Sequence, residues 1–150
     1  MSEHFISFAK KYLSHLNAVL DGIDQEDVAQ FVDILFKARD TENSVFFIGN
    51  GGSAATSAHF ANDLAIGTKQ LEKPFRVFSL VDNIATTTAI GNDFGYEEIF
   101  ARQIEVYGKS GDVCGCLCIW KFAESYKGVR GGQEKEYDHG IHHGVRWRQA

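Results

Sequence analysis

Apolar side chains recur at spacings of three and four at Phe5, Phe8, Ala9, Tyr12, Leu13, Leu16, Val19 and Leu20. That spacing lines one side of a helical cylinder and predicts an amphipathic helix from Phe5 to Leu20. Asp21-Gly22 breaks it and Asp24 stands where a cap belongs. Val28, Phe31, Val32, Leu35 and Ala38 then make a second helical stripe that ends near Arg39. The pattern changes at Ser44, where a short β-branched and aromatic run to Ile48 predicts a buried strand. It stops at Gly49-Asn50-Gly51-Gly52-Ser53, and Ala54 to Ala65 has helical composition. Two helices therefore precede a strand, a glycine loop and a third helix.

Phe75 to Val81 repeats the strand pattern. Asp82-Asn83 turns the chain into a short helix at Ile84 to Ile90, and Gly91-Asn92-Asp93 is expected to turn it again. A helix beginning near Tyr96 carries Ile99, Phe100, Ile104 and Tyr107 on one side and ends at Gly108. Lys109-Ser110-Gly111-Asp112 then leads into the apolar run Val113 to Trp120. Strands that alternate with helices require crossovers, which give parallel pairing and an α/β layer architecture. Beyond Val113 the character changes: all three cysteines, both tryptophans, and His139, His142 and His143 lie there. Gly128 to Arg148 has almost no apolar periodicity and reads as loop or disorder.

Composition narrows the classes. At 150 residues and 16.7 kDa, with 44% hydrophobic and 23% charged residues, the chain fills one domain and can build a core. Fifteen basic against twenty acidic side chains give a net charge of -5, which argues against a direct nucleic-acid binder driven by counterion release. No apolar run approaches the roughly 20 residues of a membrane span. Met1-Ser2-Glu3-His4 lacks the basic flank and apolar stretch of a secretory signal. Cys114, Cys116 and Cys118 sit at alternate positions rather than as a spread-out disulfide framework. A cytoplasmic, reducing compartment is the expectation.

Three features carry candidate chemistry. A strand end, Gly-Asn-Gly-Gly-Ser and a helix start gather backbone N–H groups and the positive end of a helix dipole, an arrangement suited to phosphate. Ser53 is placed to add a hydroxyl and to cap the helix; the plainer reading is a glycine-rich turn with a serine cap. The spacing is neither the dinucleotide fingerprint nor a Walker loop, since no lysine follows the glycines. His59 and Asp63, four apart on that helix, share one side of it and can act as an acid–base pair or as two metal ligands, or simply as a surface pair. Asn92-Asp93 by itself is a turn, and its place at a strand-and-loop edge makes it a ligand candidate.

Four blocks, in order, resemble the sugar isomerase (SIS) domain family and within it the phosphoheptose isomerases. They are Gly49-Asn50-Gly51-Gly52-Ser53-Ala54-Ala55, His59-Phe60-Ala61-Asn62-Asp63-Leu64, Thr88 through Phe100, and Gly108-Lys109-Ser110-Gly111-Asp112-Val113. The resemblance implies a three-layer sandwich around a central parallel sheet preceded by two helices. It also implies a cytoplasmic homotetramer, often with zinc, in which leading helices pack between subunits. The implied reaction interconverts sedoheptulose 7-phosphate and a glycero-manno-heptose 7-phosphate. By position, Asn50, Gly51, Gly52 and Ser53 resemble the substrate and phosphate loop, and Asn92 and Asp93 resemble sugar contacts. His59 resembles a zinc ligand. Asp63 falls where the family commonly has a metal-binding, base-like glutamate, and is one methylene shorter. The alternative is a non-catalytic SIS protein that binds phosphosugar or regulates replication initiation.

The resemblance runs from about Phe5 to Val113. The family continues with a serine-rich second phosphate loop, and no such loop stands here. Cys116 through Lys127, back-translated and regrouped after dropping one base, permits Val-Ser-Ala-Ser-Gly-Asn-Ser-Pro-Asn-Leu-Ile-Lys, which resembles that loop. His143 through Gln149 in the same frame permits Thr-Gly-Phe-Asp-Gly-Gly-Lys. The reading is therefore 1–113 as leading helices and first part of the SIS domain. Residues 114–150 are an atypical, out-of-frame, poorly packed tail that leaves one sheet edge exposed. Codons that forbid the regrouped segments would end this idea. The competing reading of the tail, a metal site built from Cys114, Cys116, Cys118 and the three histidines, lacks the C-x-x-C spacing of a zinc module.

Overall fold

The computed structural model describes residues 2–117, together with the backbone of strands at 141–142 and 145–149. The elements are α1 (Ser2–Asp21), α2 (Gln25–Asp40), β1 (Ser44–Ile48), α3 (Gly52–Asn62), a π-helical turn (Asp63–Gly67), β2 (Arg76–Ser79), α4 (Ile84–Asp93), a 3-10 turn (Tyr96–Glu98), α5 (Ile99–Tyr107), β3 (Val113–Cys116), β4 (Ile141–His142) and β5 (Val145–Gln149). The chain divides into two units, Met1–Val32 and Asp33–Ala150. In the first, Asp24 caps α2 through Oδ1, which accepts the Glu26 amide at 2.8 Å. The apolar stripe of α1, from Phe5 to Leu20, lies 39–65% exposed at its large side chains.

The second unit is built on β1, whose five residues are all buried. It pairs in parallel with β2 on one side (Val45 opposite Val77) and with β3 on the other (Val45 opposite Val113). A strand buried on both faces reads as an unbroken apolar run, which is why Ser44–Ile48 shows no alternation. Successive side chains still point to opposite faces. Phe47, 0% exposed, meets Phe60 of α3 edge-on at 5.1 Å. Phe46 and Ile48 join Leu80, Ile99, Phe100 and Ile104 in the core on the other face, with Cys114 and Cys116 packed against it. Helix α3 and helix α5 thus cover opposite faces, the layering expected of a parallel sheet. Each such buried side chain contributes about 2 kcal/mol.

Two polar groups fasten the layers. Asp112 is 4% exposed; its Oδ1 accepts the Ser44 amide at 2.7 Å and its Oδ2 the Lys109 amide at 2.8 Å, tying the start of β1 to the turn before β3. Gln103 donates from Nε2 to the Leu80 carbonyl at 2.9 Å, holding α5 to the end of β2. Asp112→Ala leaves two backbone donors without their carboxylate, so it is expected to lower stability by about 3 kcal/mol in urea denaturation.

Three expectations are corrected. Asn92 and Asp93 are the last residues of α4 rather than a turn. Asn83 starts α4 by accepting the Thr86 amide at 3.0 Å, and nothing interrupts the helix before Phe94, whose amide reaches the Ile90 carbonyl. The stretch read as loop contains β5, which pairs antiparallel with β3 (Val113 opposite Gln149) and carries β4 beyond it, in the order β2-β1-β3-β5-β4. The parallel part of the sheet is three strands, and the edge of β3 expected to lie open is covered. Backbone ladders need no apolar periodicity, which is why the pattern missed them. Cys118, Trp120, His139 and His143 lie outside the described residues.

Candidate active site at the carboxyl edge of the sheet

The glycine loop follows β1 at the carboxyl end of the parallel strands, the edge where open α/β sheets take ligands. The Ser53 amide bonds back to the Asn50 carbonyl at 3.0 Å, and Gly51 between them has φ 55 and ψ -121. These are the dihedrals of the first central position of a type II′ turn, where glycine alone is unstrained. A Cβ on Gly51 or Gly52 would meet nothing within 4 Å. The space beside their backbone is therefore open, and among the described residues neither amide has a hydrogen-bond partner. Gly49 is different: a Cβ there would lie 2.7 Å from the Ser53 backbone, so glycine lets α3 start flush against the end of β1.

Ser53 is corrected in one respect. The cap position of α3 is Gly51, with no side-chain cap, and Ser53 lies inside the first turn, where its carbonyl accepts the Ser57 hydroxyl at 2.8 Å. The turn closes before the serine, so the loop supplies its own N-terminus from backbone.

Further along the helix, His59 Nε2 stands 3.4 Å from Asp63 Oδ2, with side chains 78% and 59% exposed. The two groups face each other as the four-residue spacing predicts, at a distance longer than a close hydrogen bond. Just there α3 passes into the π-helical turn that begins at Asp63, a widening that recurs at functional sites. Two ligands on one tetrahedral zinc with bonds of ~2.1 Å stand about 3.4 Å apart, so this pair fits as two of four donors. No cluster of three or more His, Cys, Asp or Glu side chains that fits a metal occurs among the described residues.

Asn92 donates to Asp93 Oδ1 at 2.8 Å, both exposed. Among the described residues no hydrogen bond joins His59 or Asp63 to the loop or to Asn92 and Asp93. The link sequence reasoning missed is Tyr96: its hydroxyl donates to Asn50 Oδ1 at 2.9 Å, binding the 3-10 turn after α4 to the glycine loop. Tyr96 stood in the motif only as a helix start, and no spacing rule pairs residues 46 apart.

The sequence and the fold are similar to those of known proteins. The family model for the SIS domain matches residues 8–116. A phosphoheptose isomerase of Helicobacter pylori is 40% identical over 107 residues, covering 69% of this chain and 55% of that protein. The phosphoheptose isomerase of a second Helicobacter pylori strain is 35% identical over 134 residues, 88% of this chain and 68% of that protein. The chain thus spans little more than half the length of the first of these curated relatives. The solved structure of phosphoheptose isomerase from Neisseria gonorrhoeae superposes with a TM-score of 0.65 at 24% identity, covering 76% of this chain and 59% of that one, a likeness of fold.

Proposed function

We propose that this chain, which belongs to the SIS domain family, is a phosphosugar aldose–ketose isomerase of the phosphoheptose isomerase type, taking sedoheptulose 7-phosphate as substrate. The observation that carries the reading is the His59–Asp63 pair, 3.4 Å apart on the helix that the open amide loop begins. A scaffold that only binds phosphosugar, or regulates replication, has no use for an acid–base pair beside that loop.

In this reading the Gly51 and Gly52 amides and the Ser53 hydroxyl hold the phosphate, and Asn50, Asn92 and Asp93 hold sugar hydroxyls. Asp63 takes a proton from the carbon beside the carbonyl and returns it to the neighbouring carbon, while the hydroxyl proton moves between the two oxygens. His59 donates to the carbonyl oxygen as negative charge builds there. The intermediate is an enediol, and no atom is gained or lost. Zinc, held by His59 and Asp63 with further donors, would supply the same polarisation of the carbonyl. We place the protein in the cytoplasm: no helix among the described residues is long and apolar enough to cross a membrane, and the site is shaped for a soluble anion. The exposed apolar stripe of α1 suits packing against further copies, as in a homotetramer.

The tail after Val113 carries no serine-rich second phosphate loop at the carboxyl end of β3, and we infer that turnover is impaired for that reason. Incubating the full chain with sedoheptulose 7-phosphate, with and without zinc, should show binding with weak formation of aldose. Robust turnover would overturn the impairment, binding with no turnover at all would favour the non-catalytic reading, and no binding would overturn the site.

A further inference from the structure

Among the described residues, β2 ends the sheet on its side, and no strand pairs with its outer edge. The Leu80 amide reaches the Phe47 carbonyl at 3.0 Å, so Arg76, Phe78 and Leu80 turn their peptide groups toward β1. Peptide groups alternate in direction along a strand, which points those of Val77 and Ser79 outward. The Ser79 carbonyl accepts the Asp82 amide at a long 3.5 Å and keeps a second lone pair. A cavity of about 620 Å³ follows this edge and takes in both faces of the strand. On the α5 side it is lined by Phe46, Phe78 and Tyr107. On the α3 side it is lined by Val77, Ser79 and the small side chains of Ala58, Ala61 and Ala65. A space that straddles one strand is filled by another strand laid beside it.

The two ends of this groove carry opposite charge. Asp112 ties the Lys109 amide to Ser44, which stands opposite Arg76, so both cations lie where β2 begins. Asp82 lies just past its end, and all three side chains line the groove and are exposed. Among the described residues none of the three enters an ion pair. A lone charge on a sheet edge ordinarily deters pairing. A second copy laid antiparallel removes that obstacle, because the cations of each copy then meet Asp82 of the other, twice by symmetry.

We propose that β2 is the seam of a two-fold dimer: two copies pair antiparallel through their β2 edges, centred on Phe78, and join their sheets into one. In that register Val77 of each copy exchanges backbone hydrogen bonds with Ser79 of the other, and the two Phe78 rings, 48% exposed in the single chain, meet on one face. Phe78 already stacks on Phe46 at 5.8 Å and 28°, so pairing extends the stack to four rings. With strands about 4.8 Å apart, the two α3 helices, each packed over β1 and β2, stand roughly 10 Å apart. That is helix-packing distance, and alanines at 58, 61 and 65 allow the close approach. The surface is separate from the apolar stripe of α1, and His59, Asp63 and the glycine loop do not line it.

Charge reversal tests this in the full chain by sedimentation velocity over a dilution series. Arg76→Asp and Asp82→Arg, both at exposed positions, should each raise the dissociation constant at this seam roughly tenfold, because two symmetry-related contacts turn repulsive. Combined in one chain they exchange the charges and should restore the parent's value within about threefold, which damage to the fold cannot do. Phe78→Cys gives a second measure: oxidation should link the two copies through a 78-to-78 disulfide, identified by peptide mass mapping. Single reversals that assemble like the parent overturn the proposal, as does a double variant that stays apart, an oxidised Phe78→Cys protein without that link, or a parent chain that is monomeric at every concentration.

Discussion

Gly49→Ala is expected to lower stability by about 3 kcal/mol and to abolish phosphosugar binding together with it. The new Cβ would stand 2.7 Å from the carbonyl carbon and oxygen of Ser53 and 2.8 Å from its Cβ. Two of those three atoms are backbone, so no side-chain rotation relieves the clash; the start of α3 must move away from β1. That movement opens the turn between Asn50 and Ser53 and displaces the amides that face the ligand. Gly52→Ala supplies the contrast: open space surrounds the added methyl, so the fold should tolerate it while the ligand loses room. Thermal denaturation and isothermal titration on both variants check the pair. A Gly49→Ala protein as stable as the parent would show that α3 does not need its close start.

Asp63→Asn is expected to slow solvent-proton exchange at the carbons beside the carbonyl of sedoheptulose 7-phosphate by roughly 100-fold or more, with little change in binding. The amide keeps the shape of the carboxylate and the exposed position, and it cannot take a proton. Following deuterium uptake from heavy water by NMR isolates that half-reaction, which makes it a sharper measure than product formation in a chain of weak turnover. Asp63→Glu should retain most of the exchange, since it restores the acid with one more methylene. Equal exchange in the Asn variant would remove Asp63 from the reaction and leave His59, 3.4 Å away, without a catalytic partner.

Much of this was legible in the residues. Local rules worked where local forces decide: helical spacing predicted α1, α2 and α5, the unbroken run Ser44–Ile48 announced a strand buried on both faces, and the four-residue interval put His59 beside Asp63. They failed where a backbone bond competed with a side-chain signal. Ser53 looked like a cap, but glycine at 51 reaches a dihedral serine avoids, so the turn closed earlier. Asn92-Asp93 looked like a turn, yet Ile90 still had a carbonyl to offer Phe94, and the helix ran on. Residues 145–149 joined the sheet through peptide groups, for which hydropathy carries no information. The bond from Tyr96 to Asn50 was out of reach for the same reason: it depends on how α4 and α5 fold back, which no short window contains.

The middle strand of the parallel part of the sheet is finished late. β1 acquires its first neighbour at Arg76–Ser79, but its second only when Val113–Cys116 is made, and the carboxylate that seals its beginning is Asp112, 68 residues beyond Ser44. During synthesis, Val45, Phe46 and Phe47 leave the ribosome well before the segments that cover and pair with them. An emerging chain therefore carries a sticky, half-paired ribbon until β3 is made, and a pause before codon 113 lengthens its exposure to chaperones or to other nascent copies.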